Sequence, residues 1–187
     1  MPVLRLPSLP AANSKQAWGN LPGAALSLAI AEAATAAKRF TLLLTADSQS
    51  AERLEQELGF FAPELSVLHF PDWETLPYDQ FSPHQDIISQ RIASLYRLPE
   101  LSRGVLVVPI TTALHRLAPT RFLLGTSLVL DVGQKLNVEQ MRTRLESAGY
   151  RCVDTVYEHG EFAVRGALID LFPMGSELPY RIDLFDD

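Results

Sequence analysis

The residues that invite chemistry gather toward the C-terminal end of the chain. In Ala163-Val-Arg-Gly-Ala-Leu-Ile-Asp-Leu-Phe172, read as one extended run, alternation puts Arg165, Ala167, Ile169 and Leu171 on one face. Val164, Leu168 and Phe172 lie on the other, with Gly166 and Asp170. In Tyr180-Arg-Ile-Asp-Leu-Phe185, Arg181, Asp183 and Phe185 share a face, while Tyr180, Ile182 and Leu184 form the natural core face. Guanidinium groups make planar, bidentate contacts with carboxylates. An exposed aromatic beside arginines has the composition of a protein-interface hot spot. Two readings stay open. One is a docking surface carrying Arg165, Arg181 and Phe185. The other is an Arg181–Asp183 surface pair, with Phe185 covered by further chain.

Catalytic constellations are weaker. A phosphate-binding loop needs a Gly-rich turn, a Lys for the β/γ-phosphates and a Ser/Thr for magnesium. The matching place is Asn20-Leu-Pro-Gly-Ala-Ala-Leu-Ser27, which keeps Gly23 and Ser27 but has no Lys. The lysines of the chain are Lys15, Lys38 and Lys135. Without that cation a triphosphate loses its main charge-matching contact. No Gly-x-Gly-x-x-Gly is present for a dinucleotide either. The expectation is that this chain does not hydrolyse ATP, and has no cofactor and no catalytic residue.

Metal and nucleophile chemistry fare no better. His69, His84, His115 and His159 form no His-x-x-x-His pair, and the one cysteine, Cys152, excludes a Cys-based metal site and an internal disulfide. His84 near Asp86, and Glu158 beside His159, read as surface or loop-capping groups. Gly175-Ser176 lacks the Gly-flanked elbow of a serine nucleophile. Trp73, Tyr78 and Phe81 have the types that stack on bases, but Asp72, Glu74 and Asp79 among them would repel phosphates. Packing against the α/β layers is the better expectation for these aromatics.

The elements that must position these residues can be read from periodicity. Residues 1–16 hold Pro2, Pro7 and Pro10 and read as an extended arm. A nearly all-apolar helix is expected over 22–38. Apolar strands are expected at 40–45, 65–70 and 103–109. Asp47 offers a cap for a helix over 51–58 that Gly59 ends, and 86–98 has an amphipathic helical pattern. A short helix is expected from Thr111 to Leu117. Alternating helices and fully apolar strands argue for a parallel sheet covered on both faces. From about Gly125 the texture changes. A strand is expected over 127–132, then a helix capped by Asn137 and ended by Gly149. Strand-like runs follow at 152–157, 163–172 and 178–185. The expected organisation is an α/β domain over 1–120 followed by a smaller α+β domain over 127–187.

The whole-chain numbers agree with a globular, cytoplasmic protein. The chain has 187 residues, 47% of them hydrophobic and 20% charged, which excludes a disordered or collagen-like chain. The net charge of −6 argues against nucleic-acid binding by bulk electrostatics. One cysteine fits a reducing compartment. No apolar run reaches the ~20 residues of a membrane span, and the first residues lack the pattern of a signal peptide. The chain stops inside a strand-like run, so a fragment of something longer is expected.

Three stretches carry a family resemblance. They are Asp72-Trp-Glu-Thr-Leu-Pro-Tyr-Asp79, Phe81-Ser-Pro-His-Gln-Asp-Ile-Ile88 and Glu158-His-Gly-Glu-Phe-Ala-Val-Arg-Gly-Ala-Leu-Ile-Asp-Leu-Phe-Pro-Met-Gly-Ser-Glu-Leu-Pro-Tyr-Arg181. They resemble the N-terminal region of the bacterial transcription-repair coupling factors (Mfd), from about residue 20 to the end. In that family the region is similar to the excision-repair protein UvrB. The resemblance implies a helicase-like α/β domain with a degenerate P-loop near Gly23 and Ser27, then a smaller α+β domain that binds UvrA. Phe162-Ala-Val-Arg-Gly-Ala-Leu-Ile-Asp-Leu-Phe-Pro173 meets the UvrB-like pattern. The UvrA contacts it implies fall on Arg165, Arg181 and Phe185. It also implies a non-catalytic recruiting module whose surface is masked by the C-terminal region of the full-length protein. ATP, magnesium, DNA and RNA polymerase would be handled by later domains. UvrB's DNA-gripping hairpin has no counterpart, since residues 70–86 are too few and too acidic to form it.

Overall fold

A computed structural model describes residues 10–11, 13–37, 39–76, 78–125 and 130–185. In chain order the described elements are α1 (Ala25–Ala37), β1 (Phe40–Thr45), α2 (Ser48–Phe61), β2 (Val67–His69), α3 (Gln85–Arg97), β3 (Gly104–Pro109), α4 (Ile110–Ala113), α5 (Thr120–Gly125), α6 (Val138–Ser147), β4 (Arg151–Cys152), β5 (Glu161–Arg165), β6 (Leu168–Phe172) and β7 (Tyr180–Asp183). A 3-10 turn over Leu98–Glu100 follows α3. No described helix is long and apolar enough to cross a membrane. The expected extended arm and the expected strand over 127–132 lie largely outside the described residues. Leu130–Val132, which are described, hold no strand.

Two compact units result: Met1–Asp72 with Arg97–Arg116, and Trp73–Tyr96 with Leu117–Asp187. The division does not follow chain order. The expected cut at 120–127 leaves α3 in the first domain, whereas its contacts lie with the second unit. An amphipathic helix shows that it buries one face, not which partner covers it.

The first unit is built on a parallel sheet of order β1-β3-β2, with Phe40 opposite Gly104 and Val67 opposite Val105. Its central strand, Gly104-Val-Leu-Val-Val-Pro109, is buried at every position, as an apolar run without alternation requires. One face packs Val105 and Val107 against Ile30, Ala31 and Ala34 of α1 and Ala51, Leu54 and Leu58 of α2. The Asp47 carboxylate accepts the Ser50 N–H at 2.7 Å and starts α2. Gly59 does not end that helix. It continues to Phe61, which packs on the core, and this burial outweighs the roughly 1 kcal/mol cost of an internal glycine. The sheet is not covered evenly on both faces, because Leu42 and Leu44 of the edge strand β1 stay 55% and 49% exposed.

The second unit has a four-stranded mixed sheet, β4-β5-β6-β7. β4 runs parallel to β5, and the other two pairings are antiparallel. Phe162, Ile169 and Leu171 pack on Met141 and Leu145 of α6. Asn137 caps that helix, its side-chain oxygen accepting the Gln140 N–H at 3.0 Å. α3 is tied in through its polar side: the Gly175 N–H donates to Ser89 Oγ at 2.9 Å. The His159 ring lies 3.9 Å from that of Phe172, with Nδ1 2.8 Å from Asp86 and Nε2 2.8 Å from the Ser176 carbonyl. His159 is therefore a structural tie and not the loose surface group its sequence neighbours imply.

The run 163–172 is not one strand. It is a hairpin in which Arg165 pairs with Leu168 across the two residues Gly166 and Ala167. Gly166 has φ of 63°, the left-handed backbone that two-residue hairpin loops demand at their first position.

Candidate docking face

The hairpin changes which residues are neighbours. Residues directly opposite on paired strands project to the same side. Phe162 with Leu171, Val164 with Ile169, and Ile169 with Ile182 therefore fill the core side. Ala163–Asp170–Arg181 and Arg165–Leu168–Asp183 form two adjacent rows on the outer side. The continuous-strand reading had Arg165 beside Ile169 and Leu171. That placement is overturned, because the turn at Gly166 resets the alternation and puts Arg165 on the face of Asp170 and Arg181.

Asp170 is the centre of this face. Arg181 Nε donates to its Oδ1 at 2.6 Å and Arg181 Nη2 to its Oδ2 at 3.0 Å, a bidentate cross-strand fork. Arg165 Nη2 stands 3.8 Å from Oδ2 and donates to the Asp154 carbonyl at 2.8 Å. The Asp170 side chain is 16% exposed, against 50% for Arg165 and 59% for Arg181. The Arg181 hydrogen bonds hold the Asp170 carboxyl below its ordinary range, although burial pushes the other way. The same bonds raise Arg181.

Phe185 lies two residues beyond Asp183, is 73% exposed, and donates its N–H to Asp183 Oδ1 at 3.0 Å. Ile182 and Leu184 turn to the core, and the Leu184 N–H donates to the Ala167 carbonyl at 3.0 Å. Arg165 and Arg181 thus meet at one carboxylate, and Phe185 is tethered to the same face through Asp183. Asp170 is the member that sequence reasoning missed. Its signal lay in the Arg-Gly-Ala-Leu stretch, where a turn glycine two residues before an apolar run also fits a bent single strand.

The other candidate residues separate from this face. Gly23 has φ of 56° and precedes α1. Ser27 is buried within α1, where its hydroxyl donates to Glu57 of α2. Among the described residues no strand leads into α1, so the strand–loop–helix geometry of a phosphate site is missing. The hydroxyl that a magnesium site would use is instead engaged by Glu57. Among the described residues no group of three His, Cys, Asp or Glu could hold a metal. Trp73 packs under the Arg91 guanidinium, 3.9 Å from ring centroid. Tyr78 and Phe81 do not share that packing and are exposed, contrary to expectation.

A family model described as the UvrB interaction domain matches residues 128–187, the stretch that carries the whole docking face. The transcription-repair-coupling factor of Escherichia coli (strain K12) is 53% identical over 176 residues, 94% of this chain and 15% of that protein. This chain is a homologue of the transcription-repair-coupling factors. The coupling factor of Haemophilus influenzae is 47% identical over 175 residues, 94% of this chain and 15% of its own length. That of Bacillus subtilis (strain 168) is 28% identical over 172 residues, 92% of this chain and 15% of its own length. The chain thus spans about 15% of the length of the coupling factors it matches.

Proposed function

We propose that this chain is a non-catalytic, UvrB-like recruiting module, and that it docks UvrA through Arg165, Arg181 and Phe185. The observation that carries the reading is the exposed pair of arginines gathered on Asp170, within a stretch that matches the UvrB interaction domain. Guanidiniums fit carboxylates on a partner, and an exposed phenylalanine supplies the apolar anchor that hot spots favour. In the longer coupling factor, ATP-driven translocation would belong to other domains. This module would pass the site of a stalled RNA polymerase to the excision machinery.

A nucleotide-binding or ATPase domain of a helicase-like protein is the rival reading for the first unit. The missing lysine and the Ser27–Glu57 contact favour the recruiting reading over it. The test is retention of purified UvrA by the immobilised chain. Wild-type chain is expected to retain UvrA, and Arg181→Ala to weaken retention about tenfold while its circular dichroism stays unchanged. Undiminished retention by a folded Arg181→Ala chain contradicts the role given to that residue.

A further inference from the structure

Asp170 lies on the side of its sheet opposite the core residues Phe162, Ile169 and Leu171. It faces outward, yet it is the most covered polar group of the docking face, and its two carboxylate oxygens are both engaged by guanidinium groups. Resting on the docking reading above, we propose that Asp170 is the positioning residue of that face. It holds the guanidiniums of Arg165 and Arg181 in one fixed orientation, so that their remaining N–H groups meet a carboxylate on the partner.

The charge count supports orientation over attraction. Arg165 and Arg181 are matched by Asp170 and Asp183, so the cluster is electrically neutral. A neutral cluster does not draw in an acidic partner by net charge. Recognition must come from N–H donors aimed in advance, which removes the cost of ordering long side chains at the moment of binding. Arg181 has five N–H donors, and the fork to Asp170 engages Nε and Nη2, leaving others for a second planar acceptor. Arg165 donates to the Asp154 carbonyl at 2.8 Å and stands 3.8 Å from Asp170 Oδ2, so the backbone and the carboxylate together set its direction. The partner chemistry this fits is a surface carboxylate with an apolar neighbour for Phe185.

Two mechanisms give opposite signs for Asp170→Asn. If net charge governs binding, removing a negative charge tightens the complex. If orientation governs, the complex weakens although the face becomes more positive. The experiment is calorimetric titration of the 187-residue chain with purified UvrA, in wild type, Asp170→Asn, Arg165→Ala/Arg181→Ala and the triple variant. Asp170→Asn is expected to weaken binding about fivefold, and to add nothing in the chain that lacks both arginines. Exchange of the Arg181 Nε–H proton, followed by NMR without any partner, is expected to be slow in wild type and fast in Asp170→Asn. Affinity equal to or tighter than wild type in Asp170→Asn overturns the proposal. So does an equal loss in both backgrounds, which a purely structural role would give. Wild-type affinity in Arg165→Ala/Arg181→Ala overturns the docking reading itself, and this proposal with it.

Discussion

At the scale of single residues, buried and half-buried carboxylates decide how the second unit responds to acid. Glu161 is 7% exposed, and burial alone would raise its pKa. The N–H groups of Tyr157 and Glu158, both at 2.9 Å, and the Arg151 charge outweigh that burial, and the carboxyl ends below its ordinary value. Asp170 is lowered too, by Arg181 above all. For a carboxyl whose folded pKa lies below its unfolded one, stability is complete above the unfolded value of about 4. It is lost as pH falls through the folded value. Urea unfolding of the chain is therefore expected to be flat from pH 7 to 5 and to weaken steadily below about pH 4. Glu161→Gln is expected to be less stable at pH 7, by about 1–3 kcal/mol, and to lose less of its stability on acidification. A wild-type profile indifferent to acid would show that these bonds do not stabilise the native state. At this scale the sequence was half legible. Arg165, Arg181 and Phe185 stand out by type. Asp170 does not, because its role depends on which side of the sheet it occupies.

At the scale of elements, two glycines show how backbone geometry positions the face. Gly166 supplies the left-handed residue of the β5–β6 loop, and a Cβ there would meet nothing within 4 Å. Gly166→Val is thus expected to cost only the backbone strain, about 1–2 kcal/mol, and to loosen the pairing of Arg165 with Leu168. Gly104 is tighter: with φ of 136°, an added Cβ would lie 2.6 Å from the Ser66 carbonyl oxygen. Gly104→Ala must therefore displace backbone at the start of β3, and is expected to destabilise more than Gly166→Val in urea titrations. The reverse order would refute the claim that Gly104 is held by contact and Gly166 by conformation alone. The strands at 40–45 and 104–109 were readable almost to the residue, since both appear as uninterrupted apolar runs, although only the second is buried throughout. The hairpin was not, because Gly166 inside a ten-residue strand-like run gives the same pattern as a bulge. α5 lies outside the expected elements: Thr120–Gly125 is helical directly after Pro119.

At the scale of the whole molecule, two kinds of information were legible to different degrees. The class of each half followed from periodicity, with a parallel sheet first and a mixed α+β unit after it. The composition of the units did not follow, because α3 lies in sequence among the elements of the first unit and packs with the second. The proposed function rests on the long motifs of the second half and on the cluster that Asp170 gathers there. The net charge of −6 leaves little for non-specific DNA affinity, and the proposed protein partner would be engaged by local groups rather than by net charge. The docking face meets that requirement with two guanidiniums, one carboxylate between them, and an exposed aromatic ring. The most direct test is a calorimetric titration of the chain with purified UvrA, beside the Arg181→Ala/Phe185→Ala double variant. Saturable binding by the wild type, lost in a double variant that remains folded, is the expected result. No binding by a folded wild type, or equal binding by both, would contradict the assignment of this face to UvrA.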